Sequence, residues 1–210
     1  MINFKRYPNI TKVVIPGDIK LSNDMIWSYN TFGNMSNLKE VIMGKKIVDS
    51  LKRMGSGTIG RFKYCANLAG PPMCGINVVD MGSAYANCYK LTGSPVCGPN
   101  VVGMDHAYTG CYNLIGSPVC GDKVNSMTMT YFNCYRLTGS PACGPNVVDM
   151  DRTYYGCSNL TGPPVCGDKV NDMMMTYQNC YNLTGPPVCG PNVTRIDGAY
   201  ANCYNLTGPA

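Results

Sequence analysis

Thirteen cysteines recur along this 210-residue chain at a fixed interval of 23 residues. They fall into two columns and none is left over. The first cysteine column comprises Cys65, Cys88, Cys111, Cys134, Cys157, Cys180 and Cys203, and the second comprises Cys74, Cys97, Cys120, Cys143, Cys166 and Cys189. A period of this length is typical of repeat proteins, in which one unit cannot bury an apolar face alone and stacked units share a core. The sequence therefore predicts a solenoid of stacked 23-residue coils.

Apolar residues follow the same step in phase with the cysteines. These columns run from Leu68 to Leu206, from Val78 to Val193, from Met81 to Met173 with Ile196 closing the series, and from Tyr85 to Tyr200. Identical positions in stacked units form one continuous core, so we expect the columns to point inward. In one unit, Leu137, Met150, Tyr154 and Cys157 should all be nearly inaccessible to solvent.

The backbone of one unit is predicted from its prolines, because proline cannot donate to a strand ladder. The proline column comprises Pro72, Pro95, Pro118, Pro141, Pro164 and Pro187. Leu-Thr-Gly-Pro-Pro is therefore predicted to be extended, and the Val-Cys pair that follows is predicted to form a short parallel strand. The apolar spacing from the valine to the next cysteine predicts a single helical or 3₁₀ turn. The turn that follows each Val-Cys pair reads alternately Gly-Pro-Asn and Gly-Asp-Lys, which indicates that two units form a 46-residue pair.

The pattern is looser before residue 64. Phe32, Met35 and Leu38 reproduce the spacing of the tyrosine, cysteine and leucine columns, and Ile10 stands for an earlier leucine. These units are longer than 23 residues and lack cysteines, as is typical of terminal units that cover the end of a solenoid. We predict an atypical amino-terminal cap over residues 1–63 and a regular solenoid over residues 64–210.

Charge is distributed unevenly between these two parts. Residues 1–63 hold eleven basic and four acidic residues, whereas residues 64–210 hold six basic and eight acidic residues. The basic cap is either a docking surface for an acidic partner or an ordinary solvated face. The repeats have no basic columns that would follow a phosphate backbone, so nucleic-acid binding is not expected.

Two segments resemble a known family. Residues 78–91 carry the pattern VxxMxxxYxxCxxL, and residues 192–208 read NVTRIDGAYANCYNLTG. These motifs resemble the BspA-like leucine-rich repeats of bacterial surface proteins, which have Phe in place of this Tyr. The resemblance covers residues 64–210 closely and 10–63 loosely, and departs where Leu-Thr-Gly-Pro-Pro-Val-Cys replaces the family's strand. It implies a right-handed leucine-rich-repeat-like solenoid that is exposed on a cell surface or virion-like particle and binds other molecules, and it offers no catalytic residues to carry over to this chain.

The cysteines admit three interpretations. Coils about 4.8 Å apart would place cysteines of one column within the Cα range of a disulfide, about 4.4–6.8 Å. Columns of seven and six cannot both pair internally, however, and a thiol in the core packs as a small apolar group. Metal sites prefer CxxC-type spacing, which the repeats lack. Reduced, buried ladders are the interpretation we favour, ahead of some disulfides, and no metal or other cofactor is expected.

A second set of tyrosines follows the first cysteine column directly and should point outward. This tyrosine stripe comprises Tyr89, Tyr112, Tyr135, Tyr181 and Tyr204, with Ser158 as its one gap. Aligned aromatic side chains offer a large contact area at low entropic cost, which suits a glycan or a protein partner. The alternative is that the rings only stack on one another and shield the coil edges.

Catalysis is not indicated by any combination of residues. His106 is the only histidine, and Asp80, Asp105, Asp149, Asp151 and Asp172 recur in turns rather than converging on one place. No nucleophile, base and orienting group follow from their spacing. We therefore predict a non-enzymatic protein.

The expected function is that of a structural and binding module, of the adhesion or receptor-binding type, on a cell surface or in a viral particle or fibre. The alternative is an intracellular protein-interaction scaffold. No apolar run reaches the length of a membrane span, and the first residues lack the apolar run of a secretory signal. The carboxyl end stops within a repeat and would expose Leu206 and Tyr200, so we expect a homo-oligomer or larger assembly to cover it.

Overall fold

The computed structural model describes residues 4–17 and 31–208. Within the described residues, regular secondary structure lies only between residues 4 and 60. It consists of a 3₁₀ turn at Phe4–Arg6, strands β1 (Lys12–Ile15) and β2 (Glu40–Met43), helix α1 (Lys45–Ser50), and strands β3 (Gly55–Ser56) and β4 (Ile59–Gly60). Strand β1 pairs in parallel with β2, and β3 pairs antiparallel with β4. From residue 61 onward the described chain consists of turns and isolated bridges.

Several rows of backbone hydrogen bonds join neighbouring units. A row of isolated parallel bridges links residues in register, namely Arg53, Asp80, Gly103, Ser126, Asp149, Asp172 and Arg195. A second row of backbone hydrogen bonds runs along the Leu-Thr-Gly segments, from Thr92 N to Gly70 O (3.0 Å) through to Thr207 N to Gly185 O (2.9 Å). Each unit therefore lies beside the next with its equivalent residues aligned.

The stretch from the methionine to the first-column cysteine is a series of turns and not the predicted helical turn. In residues 81–88, alternate N–H groups donate to the following coil, as Met81 N does to Gly103 O (2.9 Å). The N–H groups between them close local turns, as Ala84 N does to Met81 O (2.8 Å). Ser83 and Asn87 have positive φ angles of 55° and 62°, which a right-handed helix excludes. Backbone hydrogen bonds to the next coil therefore take the place of the bonds that would form a helix.

The strand predicted for the Val-Cys pair is absent from the described repeats. Side chains explain its absence, because the hydroxyl of each core tyrosine bonds the backbone that a strand would have paired. Tyr108 Oη donates to Val96 O (2.7 Å) and accepts from Val96 N (3.1 Å). Tyr154 makes the same pair of bonds with Ala142, at 2.6 and 3.0 Å. One phenol thus satisfies both backbone groups of one residue in every coil, which explains why these repeats have tyrosine rather than phenylalanine.

The predicted columns form the core except in the last coil, where Ile196 is 45% exposed because no further coil covers it among the described residues. Leu137, Met150, Tyr154 and Cys157 are fully buried, which confirms that prediction. The core rings form a single row. From Phe32 onward, the centroids of neighbouring rings are separated by 5.1–5.6 Å. Its members are Phe4, Phe32, Phe62, Tyr85, Tyr108, Tyr131, Tyr154, Tyr177 and Tyr200.

The first cysteine column lies beside these rings. Each Sγ donates to the backbone carbonyl of an aromatic core residue in the preceding coil, as Cys134 does to Tyr108 O (3.1 Å) and Cys157 to Tyr131 O (3.0 Å). Burial raises the pKa of the Cys134 thiol well above its ordinary value. The thiol form therefore has both an environment and a hydrogen-bond partner suited to it.

The stacking continues across residue 63, where we predicted the cap to end. Phe62 stacks on Tyr85 with ring centroids 5.1 Å apart, and Met54 is fully buried before it. The Phe4 ring packs against Phe32 with centroids 5.2 Å apart and a tilt of 33°, so the row of core rings reaches the beginning of the described chain. The unit that contains Cys65 therefore starts before residue 64. The cap predicted over residues 1–63 is described only at residues 4–17 and 31–63.

Two contacts alternate from coil to coil and account for the 46-residue pair. Asn133 has a positive φ, and the next coil has Gly156 at that place, where a Cβ would lie 2.4 Å from Asn133 Oδ1. At the turn, Lys169 Nζ donates to Asn146 Oδ1 (2.6 Å), whereas Asn146 donates to the carbonyl of Asp122 (2.8 Å). At each of these two positions, a coil with asparagine therefore fits against a coil that has glycine or lysine there.

Candidate aromatic binding surface

The predicted tyrosine stripe lies on the surface of the described chain. Tyr89, Tyr112, Tyr135 and Tyr181 are 37–42% exposed, and Tyr204 is 74% exposed. Successive rings stack, with centroids 5.0 Å apart for Tyr89 and Tyr112, 5.2 Å for Tyr112 and Tyr135, and 5.8 Å for Tyr181 and Tyr204. The stripe is therefore a rigid row of rings that cover one another's faces and present their edges and hydroxyls to solvent.

The gap at Ser158 interrupts this row between Tyr135 and Tyr181. The Ser158 hydroxyl makes a long hydrogen bond of 3.4 Å to Tyr135 O in the coil before. Both neighbouring rings belong to stacks that end at this gap. The faces of Tyr135 and Tyr181 at this gap are therefore not stacked on a stripe tyrosine.

Asparagines directly after the stripe positions form a row that the sequence had not indicated as part of the surface. Asn113 Nδ2 donates to Tyr89 O (2.8 Å), and Asn159 Nδ2 donates to Tyr135 O (2.8 Å). Asn182 Nδ2 donates in the same way to Ser158 O (2.9 Å). In the sequence, Asn159 and Asn182 each begin an Asn-Leu-Thr segment. Their recurrence directly after Tyr112, Ser158 and Tyr181 is the sequence signal that could have identified them.

Chemically, the surface is polar and aromatic, with two basic positions. Phenol hydroxyls and asparagine amide oxygens line it, and the amide nitrogens are fixed by the backbone. Lys90 and Arg136 are the two residues that carry charge within the asparagine row. Arg136 Nη1 contacts Asn113 Oδ1 in the preceding coil at 3.3 Å. Such a surface suits a neutral, hydroxylated ligand or the polar rim of a protein interface.

The aspartates come closer together than their spacing suggested. Asp149 and Asp172 are bridged neighbours, and both raise the pKa of Asp151, for which burial is the largest cause. Cations lie beside them, since Arg152 contacts Asp151 at 2.7 Å and Arg195 pairs with Asp172. Within residues 4–17 and 31–208, no group of three or more His, Cys, Asp or Glu side chains is arranged to hold a metal ion.

His106 lies in a left-handed turn and is half-buried. Burial lowers the pKa of His106, and the neighbouring Asp105 acts in the opposite direction. Asp105 Oδ1 accepts a hydrogen bond from Ser126 Oγ (2.5 Å), and Ser126 Oγ lies 3.3 Å from Thr128 Oγ1. These contacts tie one coil to the next.

The second cysteine column lies partly exposed along another side of the coils. Glycines allow its close packing: a Cβ at Gly144 would lie 2.9 Å from Cys120 Sγ and 2.8 Å from Gly121 O. Burial raises the pKa of Cys120 to about 12 and that of Cys143 to about 11. These thiols are therefore poor nucleophiles near neutral pH.

The basic residues of the amino-terminal part are not all free to face a partner. Arg61 is buried and donates to Thr31 Oγ1 (3.2 Å) and Arg53 O (3.0 Å). Lys12 pairs with Glu40 at 2.8 Å, and Lys45 pairs with Asp49. Part of this charge therefore serves contacts within the chain.

Within the described ranges, no helix has both the length and the apolar character needed to cross a bilayer. Comparisons of the chain with protein-family models, with curated proteins and with solved structures find no match.

Proposed function

We propose that this chain is a non-enzymatic binding module built as a leucine-rich-repeat-like solenoid, which acts in adhesion or receptor binding on a cell surface or in a viral particle or fibre. The observation that carries the proposal is the tyrosine stripe, two runs of partly exposed rings that stack with centroids 5.0–5.8 Å apart on either side of Ser158. Rings held in this way have already lost their rotational freedom, so a ligand that binds them incurs little further entropic cost.

The resemblance to BspA-like repeats supports the same proposal from the sequence. Interlocked coils also favour a rigid display surface over a mobile one. Each coil is held to its neighbours by backbone bonds, by core rings and by thiol-to-carbonyl contacts, such as Cys157 to Tyr131 O (3.0 Å). Repeat architectures of this kind present extended surfaces to their partners.

The test replaces Tyr112, Tyr135 and Tyr181 together with serine. Labelled protein is applied to a printed array of neutral glycans and to intact cells. We expect the triple serine variant to keep the wild-type unfolding midpoint within a few degrees and to lose at least tenfold in binding. A matched variant with phenylalanine at the same three positions keeps the ring stack and should retain most of the binding.

Two results would overturn the proposal. One is wild-type protein that binds glycans and cells no better than serum albumin. The other is a triple serine variant that fails to fold, because the stripe would then belong to the structural shell of the coils.

Assembly through the last described coil is part of the same proposal. The N–H groups of Gly198, Tyr200 and Asn202 have no partner among the described residues, whereas the equivalent groups of earlier coils donate to the next coil. Tyr200 and Leu206 are also only half-buried there. We propose that a second copy of the chain covers this edge. Light scattering on the purified protein tests it, and a stable monomer of 22.7 kDa at micromolar concentration would refute it.

An intracellular interaction scaffold is the second candidate. The observation that favours it is the hydrogen bonding of the first cysteine column, since donation from Sγ to a carbonyl requires a reduced thiol. Thiols persist most readily in reducing compartments. Locating the protein in its native source, outside cells or in particles as against inside cells, distinguishes the two candidates.

A further inference from the structure

Two positions of the coil hold different residues from one coil to the next. Both lie in the turns before the first cysteine column. Each has five residue types in six coils, whereas the stripe position has two. These variable positions are Ser83, His106, Met129, Arg152, Met175 and Gly198, and Ala86, Thr109, Phe132, Tyr155, Gln178 and Ala201. From His106 onward, all of them are at least partly exposed. A column that packs in the core repeats its residue, so the variation indicates a surface whose chemistry is set coil by coil.

The two variable positions of one coil are close in space, because a backbone hydrogen bond closes the turn between them. Phe132 N donates to Met129 O (3.3 Å), and Tyr155 N donates to Arg152 O (3.3 Å). The two coils also touch through these residues. The Phe132 and Tyr155 rings stack with centroids 4.8 Å apart, and Met129 N donates to Asp151 O (2.8 Å). The variable residues of these two coils therefore form one continuous surface.

The following coil extends this surface. Arg152 N donates to Met174 O (2.9 Å), and Gln178 N donates to Met175 O (3.3 Å). The variable residues of these three coils are all partly exposed, and together they form the methionine-aromatic patch: Met129, Phe132, Arg152, Tyr155, Met175 and Gln178. Methionine, aromatic residues and arginine are enriched in the centres of protein interfaces. The patch therefore has the composition of a surface that contacts another protein.

Acidic residues are concentrated beside this patch. Residues 64–210 hold eight acidic residues, and six of them lie within the three residues before the first variable position of their coil. These six are Asp80, Asp105, Asp149, Asp151, Asp172 and Asp197. Of the six basic residues in the same range, only Arg152 and Arg195 lie in this part of the coil, and they pair with Asp151 and Asp172. The patch is therefore bordered by net negative charge, although the whole chain carries a net charge of +5.

We propose that the methionine-aromatic patch binds a basic amphipathic segment of a partner protein. Apolar side chains of that segment would pack on Met129, Phe132 and Met175, and its lysines or arginines would face the aspartates. Methionine side chains are flexible and polarisable, so they adapt to the shape of an apolar partner. The negative border selects a partner of positive charge and steers its approach. The patch contains none of the stripe tyrosines, so this surface is additional to the one proposed above.

The test measures binding of labelled synthetic peptides to the full chain by fluorescence anisotropy. The probe is an amphipathic helix of leucine and lysine. One control peptide has glutamate in place of lysine, and the other has serine in place of leucine. We expect a micromolar dissociation constant for the probe and at least tenfold weaker binding of both controls. Because the whole chain is positively charged, a basic peptide should bind only where the local charge is reversed.

The variants use residues that other coils already have at the same position. Phe132→Thr and Tyr155→Gln, made together, introduce the residues found at Thr109 and Gln178, so the coils should keep their fold. We expect this double variant to bind the leucine-lysine peptide at least tenfold more weakly. The matched control is Ile115→Thr, which removes an apolar side chain that is 43% exposed and lies outside the patch. It should bind within about twofold of wild type.

Several outcomes would overturn the proposal. The double variant could bind the probe as tightly as wild type does, or wild-type protein could bind the glutamate peptide equally well or bind no peptide. If the double variant fails to fold, Asp105→Thr with Asp197→Thr replaces it, since Thr128 stands at the same position. That variant should lose several-fold in binding, and unchanged binding would contradict the proposal. If wild-type protein forms a dimer that the double variant converts to a monomer, a second copy occupies the patch and the separate partner is wrong.

Discussion

Replacing Tyr154 with phenylalanine tests the account of why the repeats contain a buried phenol. The change removes one oxygen from a fully buried ring and keeps the stack with Tyr131 and Tyr177, where centroids are 5.6 and 5.5 Å apart. It leaves both the N–H and the carbonyl of Ala142 without the hydroxyl that now bonds them at 3.0 and 2.6 Å.

The magnitude follows from the burial of those two groups. An unsatisfied buried polar group costs about 1–3 kcal/mol, and Ala142 is half-buried, so water recovers part of that cost. We expect a loss of about 2 kcal/mol in the free energy of unfolding, measured by urea titration with circular dichroism. Tyr135→Phe is the matched control, because the described residues provide no hydrogen-bond partner for its hydroxyl. It should stay within about 0.5 kcal/mol of wild type. Equal losses in the two variants, or a Tyr154→Phe variant as stable as wild type, would refute the reasoning.

Three further predictions concern the core and its thiols. Leu137→Ala should cost about 2–5 kcal/mol, because it opens a cavity in a fully buried column, and an unchanged melting temperature would contradict the core assignment. Alkylation after unfolding without reductant should label twelve or thirteen thiols per chain by mass spectrometry, whereas one or none would show a disulfide framework. Stability should fall as the pH rises above about 9. Burial raises the pKa of Cys74 from 9.0 to about 11 and that of Tyr200 from 10.0 to about 12, so the unfolded chain loses protons that the folded chain keeps. Each fully buried thiol then contributes a loss of about 1.4 kcal/mol per pH unit. Constant stability between pH 8 and 11 would exclude this effect.

The core could be predicted from the sequence because a fixed period places every copy of a residue in the same environment. Once the step of 23 residues was known, burial of Leu137 or Tyr154 followed from their columns alone. Phe62 and Met54 were missed since their unit is irregular in length, and a column cannot be extended through a unit whose step is unknown. Phe4 was missed for the same reason.

The local backbone could not be predicted in this way. Apolar spacing and proline positions do not encode a bond between a phenol and a main chain twelve residues away, and that bond replaces the Val-Cys strand. The helical turn was likewise predicted from spacing alone, whereas Ser83 and Asn87 adopt left-handed conformations because alternate N–H groups bond the next coil.

The candidate site was predicted in part. The outward tyrosines followed from their place next to an inward cysteine, and they are indeed partly exposed. The role of Asn113, Asn159 and Asn182 did not follow, because their partners are carbonyls of the preceding coil and lie close only after the coils stack.

The alternation of coil types determines how such a chain can change its length. Because Gly156 leaves room for Asn133 and Lys169 reaches Asn146, these coils are shaped for neighbours of the opposite type, and the alternation is broken where Asn202 follows Asn179 in the last coil. Duplication or loss of 46 residues preserves every such contact, whereas a change of 23 residues brings two coils of one type together. Two asparagines then meet, as Asn202 and Asn179 do in the last coil, where Nδ2 of the first donates to Oδ1 of the second at 2.7 Å. Genetic recombination would therefore lengthen or shorten this protein most easily by whole pairs of coils.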